Sequence, residues 1–352
     1  MPKISVIMSV YSGEKHLRQA VDSILNQTVS DLEFIVIDDA SQDGTSRILG
    51  SYSDSRIKVH RNSENLGLTR SLNQTLDLAS GKYIARMDAD DISLPDRLAR
   101  QIAFLDIHPD IGIVGTALRR ISMRGTKIGG VVRKPLSDTA IRWACLLENP
   151  ITHPSVMMRR SVLMEHGLRY DPSFQTSQDY ELWVRMLQVC KAANLPEPLL
   201  LYRVHFNTVS LAYRSMQQDY SAEISLKAIG SILSDFRAEL SQVRPLQQIL
   251  FGEARLRPVA DVDRAELAHF LLQMFEAFSR GYAPSHEVRV LQKKVALQIA
   301  HLVLLPPIPN GWRPVVAAAF HLYPGLVWGF PAYLTDIVIR ETGRRIIYRV
   351  RP

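Results

Sequence analysis

The stretch that decides the fold reads Gly81-Lys82-Tyr83-Ile84-Ala85-Arg86-Met87-Asp88-Ala89-Asp90-Asp91. Its apolar run, Tyr83–Ala85, predicts a buried strand that ends abruptly in three carboxylates. A helix is expected to begin near Pro95, with Asp96 in its first turn. Carboxylates this close repel one another, and Mg²⁺ or Mn²⁺ would relieve the repulsion because both prefer oxygen ligands. The competing interpretation is a solvated acidic turn, since Asp-x-Asp is a short and common pattern.

Three further apolar stretches precede this one and are typical of short buried strands: Ile4–Val10, Glu33–Ile37 and Ile57–His60. Segments with helical spacing separate them, and the alternation predicts a parallel α/β sheet with right-handed crossovers. Ligands of such sheets bind beyond the carboxyl ends of the strands. Three groups of residues lie at these ends, so one crevice can collect them: Ser9–Tyr11, Asp38–Asp39 and Asp88–Asp91.

Composition bounds the class of protein. The 352 residues suffice for one large or two modest domains, and a content of 46% hydrophobic and 22% charged residues is typical of a globular chain. The formal charge of +7 suits an anionic partner: a nucleotide sugar, an anionic lipid surface or nucleic acid. The cysteines, Cys145 and Cys190, match no zinc or redox spacing and indicate free thiols in a reducing compartment. No signal-peptide core follows Met1, so we expect a cytoplasmic protein.

Two common nucleotide-binding patterns are missing from the sequence. No Gly-x-Gly-x-x-Gly follows the first strand, and no Gly-Lys-Ser/Thr occurs anywhere in the chain. Their absence counts against a dinucleotide-dependent dehydrogenase and a P-loop ATPase.

Four blocks of sequence resemble the family 2 glycosyltransferases of the GT-A fold, of the bacterial polysaccharide-biosynthesis type. The blocks are Ser5–Tyr11, Ser23–Thr28, Val36–Thr45 and Met87–Asp91, which come in that family's order and spacing. The resemblance implies an α/β fold with a mostly parallel sheet flanked by helices. It implies a catalytic domain over residues 1–212, with a nucleotide-sugar half at about 1–115 and an acceptor half at about 116–212. The resemblance fades after about residue 210, and the helical spacing that follows predicts a helical C-terminal extension over residues 213–352.

The resemblance assigns the nucleotide base to the first two strand ends. Ser9, Val10 and Tyr11 would line the base, partly through their backbone. Asp39 would hydrogen-bond the base, with Asp38 beside it. The residues alone leave alternatives open, because Asp38-Asp39 also fits an Asx turn that caps the next helix, and Tyr11 also fits the ordinary core.

The resemblance places the rest of the donor around the acidic cluster. Arg70 would approach the nucleotide, Asp88 the ribose, and Ala89 would also belong to the donor site. Asp90 would be the main carboxylate on a metal that bridges the diphosphate, with Asp91 supporting it as an acceptor or phosphate contact. On its own, Arg70 equally fits a solvated charge on a helix.

Two histidines are implied in the site by the same resemblance. His153, in the Pro-punctuated loop Asn149–Ser155, would border the acceptor site and contact donor phosphate or acceptor. His205, at the end of a strand over Leu199–His205, would close over the metal and the diphosphate as a third metal or phosphate contact. The alternative for each is a structural histidine, which for His153 is one hydrogen-bonded to backbone.

The second informative stretch is Phe174–Arg185, which contains Gln178-Asp179 and then Leu182-Trp183. The resembling family has Glu or Gln, then Asp, with Leu-Trp shortly after. Asp179 is therefore implied as the general base for the acceptor hydroxyl, with Gln178 and Trp183 as acceptor or phosphate contacts. Such proton removal contributes about 10²–10⁴-fold, and a single displacement would invert the anomeric configuration. On its own, Asp179 also fits an acidic residue at a helix N-terminus.

These features predict an inverting, metal-assisted glycosyltransferase of envelope polysaccharide synthesis. Its donor would be a nucleotide-diphospho sugar, with UDP as the expected nucleotide, and its acceptor a hydroxyl of a glycan or lipid-linked glycan. A sugar-nucleotide nucleotidyltransferase is the nearest alternative enzyme, but Tyr11–Glu14 lacks the Gly-rich basic loop that it needs. A catalytically silent scaffold of a polysaccharide-assembly complex is the alternative from another class, and the presence of Asp90 and Asp179 counts against it. Nucleic acid is not expected, because no reader motif accompanies the basic charge.

The last third of the chain predicts helices at about residues 213–255, 261–280 and 286–305. Pro314–Thr335 then holds no charged residue over 22 positions, which is long enough to span a bilayer, but prolines and glycines interrupt it. Arginines from Arg340 to Arg351 add a basic flank. A buried helical subdomain, an interfacial membrane anchor and a true span all fit this pattern. We expect association with the anionic inner face of the plasma membrane from about residue 295 onward.

Overall fold

The computed structural model describes residues 2–205, 214–251, 262–282, 286–304 and 312–324. The chain divides into two compact units. The first comprises Met1–Ile141 and Asn149–Tyr220, and the second comprises Arg142–Glu148 and Ser221–Pro352. All of the described strands lie in the first unit.

Nine strands of the first unit form one sheet. Their bounds are β1 Ile4–Val10, β2 Leu32–Asp38, β3 Ile57–Arg61, β4 Tyr83–Arg86, β5 Ile92–Ser93, β6 Ile111–Ile121, β7 Lys127–Val132, β8 Met157–Arg159 and β9 Lys191–Arg203. Their order is β3-β2-β1-β4-β8-β6-β9-β5, with β7 paired to β6. The first four strands run parallel, as the strand–helix alternation predicts.

The second half of the sheet adds antiparallel pairs. β8 is antiparallel to both β4 and β6, β5 is antiparallel to β9, and β9 is parallel to β6. β7 follows β6 through a tight turn at residues 122–126, and a tight turn joins only antiparallel strands. The predicted α/β fold with a mostly parallel sheet and flanking helices is confirmed, and the purely parallel arrangement is confined to its first four strands.

Seven helices belong to the chain before β9. They are α1 Leu17–Leu25, α2 Thr45–Gly50, α3 Leu68–Leu78, α4 Arg97–Ile107, α5 Asp138–Cys145, α6 Arg160–Glu165 and α7 Gln178–Met186. Leu17, Val21 and Ile24 of α1 are fully buried, because their spacing places them on one face of the helix. They join the buried side chains of the central strands in one hydrophobic core.

The register of the central strands sets where polar residues emerge. Val10 of β1 lies opposite Asp38 of β2, and Ile7 of β1 lies opposite Arg86 of β4. The carboxyl ends of these strands therefore open at the same edge of the sheet. Because the strands are buried on both faces, this edge is where acidic side chains can leave the core.

In its described part, the second unit is helical. The helices are Arg214–Ile232, which begins in the first unit, and Leu240–Leu250, Arg264–Tyr282, His286–Leu304 and Trp312–Leu322. The sequence predicts one helix at about 213–255, but two are observed, because Glu239 and Gln242 form a capping box that starts a new helix. Trp143 packs edge-on against Phe275 and Phe278, with ring centroids 5.2 and 5.3 Å away.

A membrane span is not found among the described helices, none of which is both long and apolar enough to cross a bilayer. The uncharged stretch Pro314–Thr335 is described only as far as residue 324, and its first part belongs to the helix Trp312–Leu322. Its remainder and the arginines from Arg340 to Arg351 lie outside the described residues. Association with a membrane surface therefore stays a prediction.

Candidate active site

Three carboxylates gather where β4 ends. Asp88, Asp90 and Asp91 each offer an oxygen, and these oxygens all lie within 4.8 Å of one another. Asp88 and Asp90 are half-buried, whereas Asp91 is only 1% exposed. The cluster is thus not a fully solvated turn.

The protein satisfies only half of the Asp91 carboxylate. Its Oδ1 accepts a hydrogen bond from the Arg203 amide at 2.8 Å, and its Oδ2 has no partner among the described residues. Burial, reinforced by the charges of Asp88 and Asp90, raises the pKa of Asp91 well above its ordinary value. A buried carboxylate oxygen without a donor, beside two further carboxylates, fits a divalent cation that takes oxygen ligands.

An arginine inside β4 balances part of this charge. Arg86 is buried, and its Nη2 forms an ion pair with Asp88. Its Nε and Nη1 have no partner in the described chain. Burial raises the pKa of Asp88, and the Arg86 charge offsets only part of the rise. Arg86 was not predicted as a site residue, although a charged residue within an apolar strand is a detectable exception.

Arg203, at the end of β9, ties the cluster to its surroundings and was also not predicted. Its Nε donates to the Asp90 carbonyl at 2.7 Å, and its Nη2 donates to Gln19 Oε1 at 3.0 Å. Its Nη1 donates to the carbonyls of Ser122 and Met123 in the β6–β7 turn, at 3.0 and 3.2 Å. One rigid guanidinium thereby holds the acidic cluster and the hairpin turn together.

His205 also reaches the cluster, where its Nε2 lies 2.5 Å from Asp90 Oδ2. The ring of His16 stands edge-on to that of His205, with centroids 6.2 Å apart. His16 was not predicted, and its buried Nε2 has no partner among the described residues. Burial lowers the pKa of His16, and the nearby Arg203 charge adds to this effect. The metal contacts of Asp90 and His205 stay predictions.

Asp39, which the sequence assigns to the nucleotide base, already accepts hydrogen bonds from the protein. Its Oδ1 accepts hydrogen bonds from Asn62 Nδ2 at 2.7 Å and from the Leu66 amide at 2.9 Å, and its Oδ2 accepts one from the Gly67 amide at 2.9 Å. Gly67 has φ +84°, a conformation that glycine adopts without strain. Asp39 therefore holds the loop that leads into α3, whatever it contributes to the base.

Asp38 is satisfied in a similar way. Its Oδ1 accepts from the Ser41 amide at 2.9 Å, and its Oδ2 accepts from the Ser46 hydroxyl at 2.5 Å. The contact with Ser41 fits the interpretation of Asp38 as a turn residue. The predicted position of Asp38 beside the nucleotide base stays a prediction.

The other residues predicted for the donor lie near the same strand ends. Ser9 is half-buried and Val10 is buried, whereas Tyr11 is 54% exposed and so is not a core residue. Arg70, on α3, is exposed, and Ala89 is half-buried within the acidic cluster. Their contacts with a nucleotide stay predictions.

Asp179 lies in the first turn of α7 and is half-buried. Asn149, which was not predicted as a site residue, donates from Nδ2 to Asp179 Oδ2 at 2.7 Å. Burial raises the pKa of Asp179, and the Asn149 hydrogen bond and the Arg86 charge offset part of the rise. The charge of Asp179 also raises the pKa of Asp88, so the two carboxylates share one electrostatic environment.

His153 and its neighbours are packed into the interior. His153 Nε2 lies 2.8 Å from the Tyr170 hydroxyl, and the ring of Trp183 stands edge-on to it at 6.0 Å. Burial lowers the pKa of His153 well below its ordinary value, and the Arg86 charge adds to this effect. Trp183 has no exposed surface, and Gln178 is also buried. An acceptor or phosphate contact by His153, Gln178 or Trp183 stays a prediction.

Within the part of the chain that the structure describes, three non-glycine residues have a left-handed backbone: Ser12, Ala40 and Ser177, with φ of 52°, 60° and 61°. Ser12 follows β1, Ala40 follows β2, and Ser177 immediately precedes α7. Residues with a Cβ rarely adopt this conformation, and such strained positions concentrate at functional sites. The backbone thus marks the same loops as the side chains do.

The sequence matches a known family and a named relative. The profile described as Glycosyl transferase family 2 matches residues 5–167. The O-antigen biosynthesis glycosyltransferase WbnJ of Escherichia coli is 36% identical over 209 residues, which cover 57% of this chain and 80% of the relative.

Two solved structures share the fold. Residues 1–349 of S. aureus TarS, in complex with UDP-GlcNAc, align with a TM-score of 0.58 at 16% identity, over 93% of this chain and 92% of that one. The mannosyltransferase PcManGT of Pyrobaculum calidifontis, in complex with GDP-Man and Mn²⁺, aligns with a TM-score of 0.50 at 19% identity, over 93% and 88%. At such identities the likeness shows the fold alone.

Proposed function

The chain belongs to glycosyl transferase family 2, as its sequence motifs predict, and on this premise we propose that it is an inverting, metal-assisted transferase. It moves a sugar from a nucleotide-diphospho sugar to a hydroxyl of a glycan or lipid-linked glycan during polysaccharide synthesis. One observation carries the proposal. The acidic cluster of Asp88, Asp90 and Asp91, in which Asp91 Oδ2 has no partner among the described residues, shares its electrostatic environment with Asp179, a carboxylate that Asn149 holds.

The donor occupies the ends of β1, β2 and β4. Tyr11 and Arg70 are exposed and free to meet a nucleotide, while Asp39 keeps the adjoining loop in place. TarS, which has the same fold, is solved with UDP-GlcNAc, and this supports a UDP-sugar as the donor. The role of WbnJ in O-antigen biosynthesis supports a polysaccharide pathway.

A divalent metal fits the acidic cluster, with Asp90 and His205 as its main ligands and Asp91 Oδ2 open beside them. When bound, the metal stabilises the charge that develops on the leaving diphosphate. The Mn²⁺ in the PcManGT complex supports this assignment. The protein holds the cluster in place in advance, because Arg203 donates to the Asp90 carbonyl and Arg86 pairs with the neighbouring Asp88 carboxylate.

Asp179 takes the proton of the acceptor hydroxyl as that oxygen attacks the anomeric carbon. Asn149 donates to its Oδ2 and so orients the carboxylate that takes the proton. The raised pKa makes Asp179 a stronger base than an ordinary carboxylate, and general bases work best when their pKa approaches the operating pH. The bond to the diphosphate breaks as the new bond forms on the opposite face, so the configuration inverts.

A thermal-shift panel tests the donor site. UDP, GDP and their sugar conjugates are measured with and without Mn²⁺ or Mg²⁺, because a ligand that binds only the folded state raises its stability. We expect a metal-dependent shift with one nucleotide, and none after Asp90→Asn. The control Asp96→Asn removes the same charge at an exposed position and keeps the shift. A shift that survives Asp90→Asn refutes the metal assignment, and no shift in the wild type refutes the donor site.

A further inference from the structure

The β6–β7 hairpin and its flanks are basic and contain no acidic residue of their own. Between Asp110 and Asp138 the sequence contains no acidic residue and six basic ones. They are Arg119, Arg120, Arg124, Lys127, Arg133 and Lys134. Arg124, Lys127 and Arg133 are exposed, and within the described ranges none of these three has an ionic partner. The hairpin therefore presents uncompensated positive charge to solvent.

The turn of the hairpin is anchored to the acidic cluster. Arg203 donates from Nη1 to the carbonyls of Ser122 and Met123, and from Nε to the carbonyl of Asp90. The Val204 amide adds a bond to the Ile121 carbonyl at 2.9 Å. These contacts fix the turn beside the proposed metal ligands.

The other end of the hairpin is anchored to the proposed base. Lys134 Nζ donates to the Asn149 carbonyl at 2.6 Å, and Asn149 Nδ2 donates to Asp179 Oδ2 at 2.7 Å. The turn of the basic segment is thus tied to Asp90, and Lys134 at its end is tied through Asn149 to Asp179. An acceptor whose hydroxyl reaches Asp179 would therefore lie near the Lys134 end of this segment.

We propose that the basic hairpin, residues 119–134, binds negative charge on the acceptor, so that the acceptor is a phosphate-bearing glycan and not a neutral one. This inference rests on the proposed function. The donor does not explain these cations, because its diphosphate already meets the proposed metal.

A lipid surface suits the hairpin less well than a polar glycan. No large hydrophobic side chain is exposed between residues 119 and 134, all of which the structure describes. Gly129 and Gly130 carry no side chain at all, and space around them is open. Segments that bind in the membrane interface present large apolar side chains to it, whereas the exposed side chains of this segment are those of Arg124, Thr126, Lys127 and Arg133.

The test uses the full chain with UDP and Mn²⁺ present in excess, so that an anion has to bind outside the donor site. The probes are a fluorescent dextran oligomer bearing phosphate monoesters and the same oligomer without phosphate. We expect only the phosphorylated probe to bind, with an affinity that salt weakens by screening exposed charges. Arg124→Glu combined with Lys127→Glu should weaken its binding by about tenfold or more, because two attractions become repulsions.

The matched control is Arg100→Glu combined with Arg289→Glu, which changes the net charge equally at exposed positions outside the hairpin. This variant should bind the phosphorylated probe as the wild type does. Equal binding of both probes, or unchanged binding by the hairpin variant, overturns the inference. So does hairpin-dependent binding to vesicles of phosphatidylcholine and phosphatidylglycerol without binding of the phosphorylated dextran.

The thermal shift with UDP separates two kinds of failure. If the wild type shows no shift, the proposed function itself fails. If the shift is present but the phosphorylated probe does not bind, the donor site stands and only the anionic acceptor is refuted.

Discussion

Neighbouring aspartates lie at the ends of two strands of this sheet, and the two groups differ in how many hydrogen-bond donors the protein supplies to their carboxylates. After β2, donors from the protein satisfy both Asp38 and Asp39, with three hydrogen bonds to Asp39 alone. After β4, three carboxylate oxygens lie within 4.8 Å of one another, and Asp91 Oδ2 has no donor in the described chain. The first pair shapes loops, and the second cluster leaves a buried carboxylate oxygen without a donor, which supports the metal proposed there. A buried strand followed by acids therefore does not by itself favour a metal site, because the protein satisfies the first pair.

The largest effect is expected at Asp179, the proposed base, whose Oδ2 accepts a hydrogen bond from Asn149. Asp179→Asn should lower kcat by about 10²–10⁴-fold, because the acceptor hydroxyl loses its general base. Initial rates with donor and acceptor measure this loss. The UDP-dependent thermal shift should persist in the variant, as it should in the control Asp96→Asn. Normal turnover by Asp179→Asn would remove Asp179 as the base.

A substitution at Asp39 tests the aspartates at the end of β2, whose carboxylates are satisfied by hydrogen bonds from the protein. Asp39→Asn replaces one carboxylate oxygen by an NH₂ group, which then faces either the Gly67 amide or the Asn62 and Leu66 donors. We expect a loss of about 2–3 kcal/mol in the free energy of unfolding, since hydrogen bonds to a charged group are lost inside the protein. Urea denaturation measures it. An unchanged midpoint would mean that the loop does not depend on Asp39.

The raised pKa of Asp179 predicts an unusual pH profile. The base works when ionised, so kcat/KM falls as pH drops through its pKa, by about tenfold for each pH unit beyond it. Burial raises the pKa of Asp179, so this acid limb should lie above the ordinary aspartate value of about 3.9. Rates over a pH series, with stability checked at each pH, give the limb. A limb at the ordinary value would contradict the environment described for Asp179.

The smallest effect is expected for stability at Asp90. In metal-free buffer, Asp90→Asn relieves repulsion within the cluster and loses the contact with His205. The free energy of unfolding should therefore stay the same or rise, by less than about 1 kcal/mol. Urea denaturation with a chelator measures it beside Asp39→Asn. A loss as large as that of Asp39→Asn would erase the distinction between the two strand ends.

The strands of the nucleotide-sugar half could be predicted because contiguous residues in the sequence define each of them. A buried strand was predicted at Glu33–Ile37, and β2 spans Leu32–Asp38. The same holds for Tyr83–Ala85, which lies within β4. Each of these strands is recognisable in the sequence as a short apolar run followed by polar residues.

The acceptor half was less predictable because its strands depend on distant partners. Only the end of β9 was predicted, over Leu199–His205, whereas the strand spans Lys191–Arg203. Pro196 and Pro198 interrupt its apolar pattern, and prolines normally argue against a central strand. β9 persists because β6 pairs with it through several shifts in register.

The sequence by itself determined which family motifs the chain carries and which strand ends bear acids, because both are written in contiguous residues. Only the tertiary structure decided which of those acids are satisfied. Asn149 reaches Asp179 across 30 positions, and Arg203 reaches Asp90 across 113. Hydrogen-bond donors act at about 3 Å whatever their separation along the chain. The division between structural and reactive carboxylates is therefore a property of the folded chain.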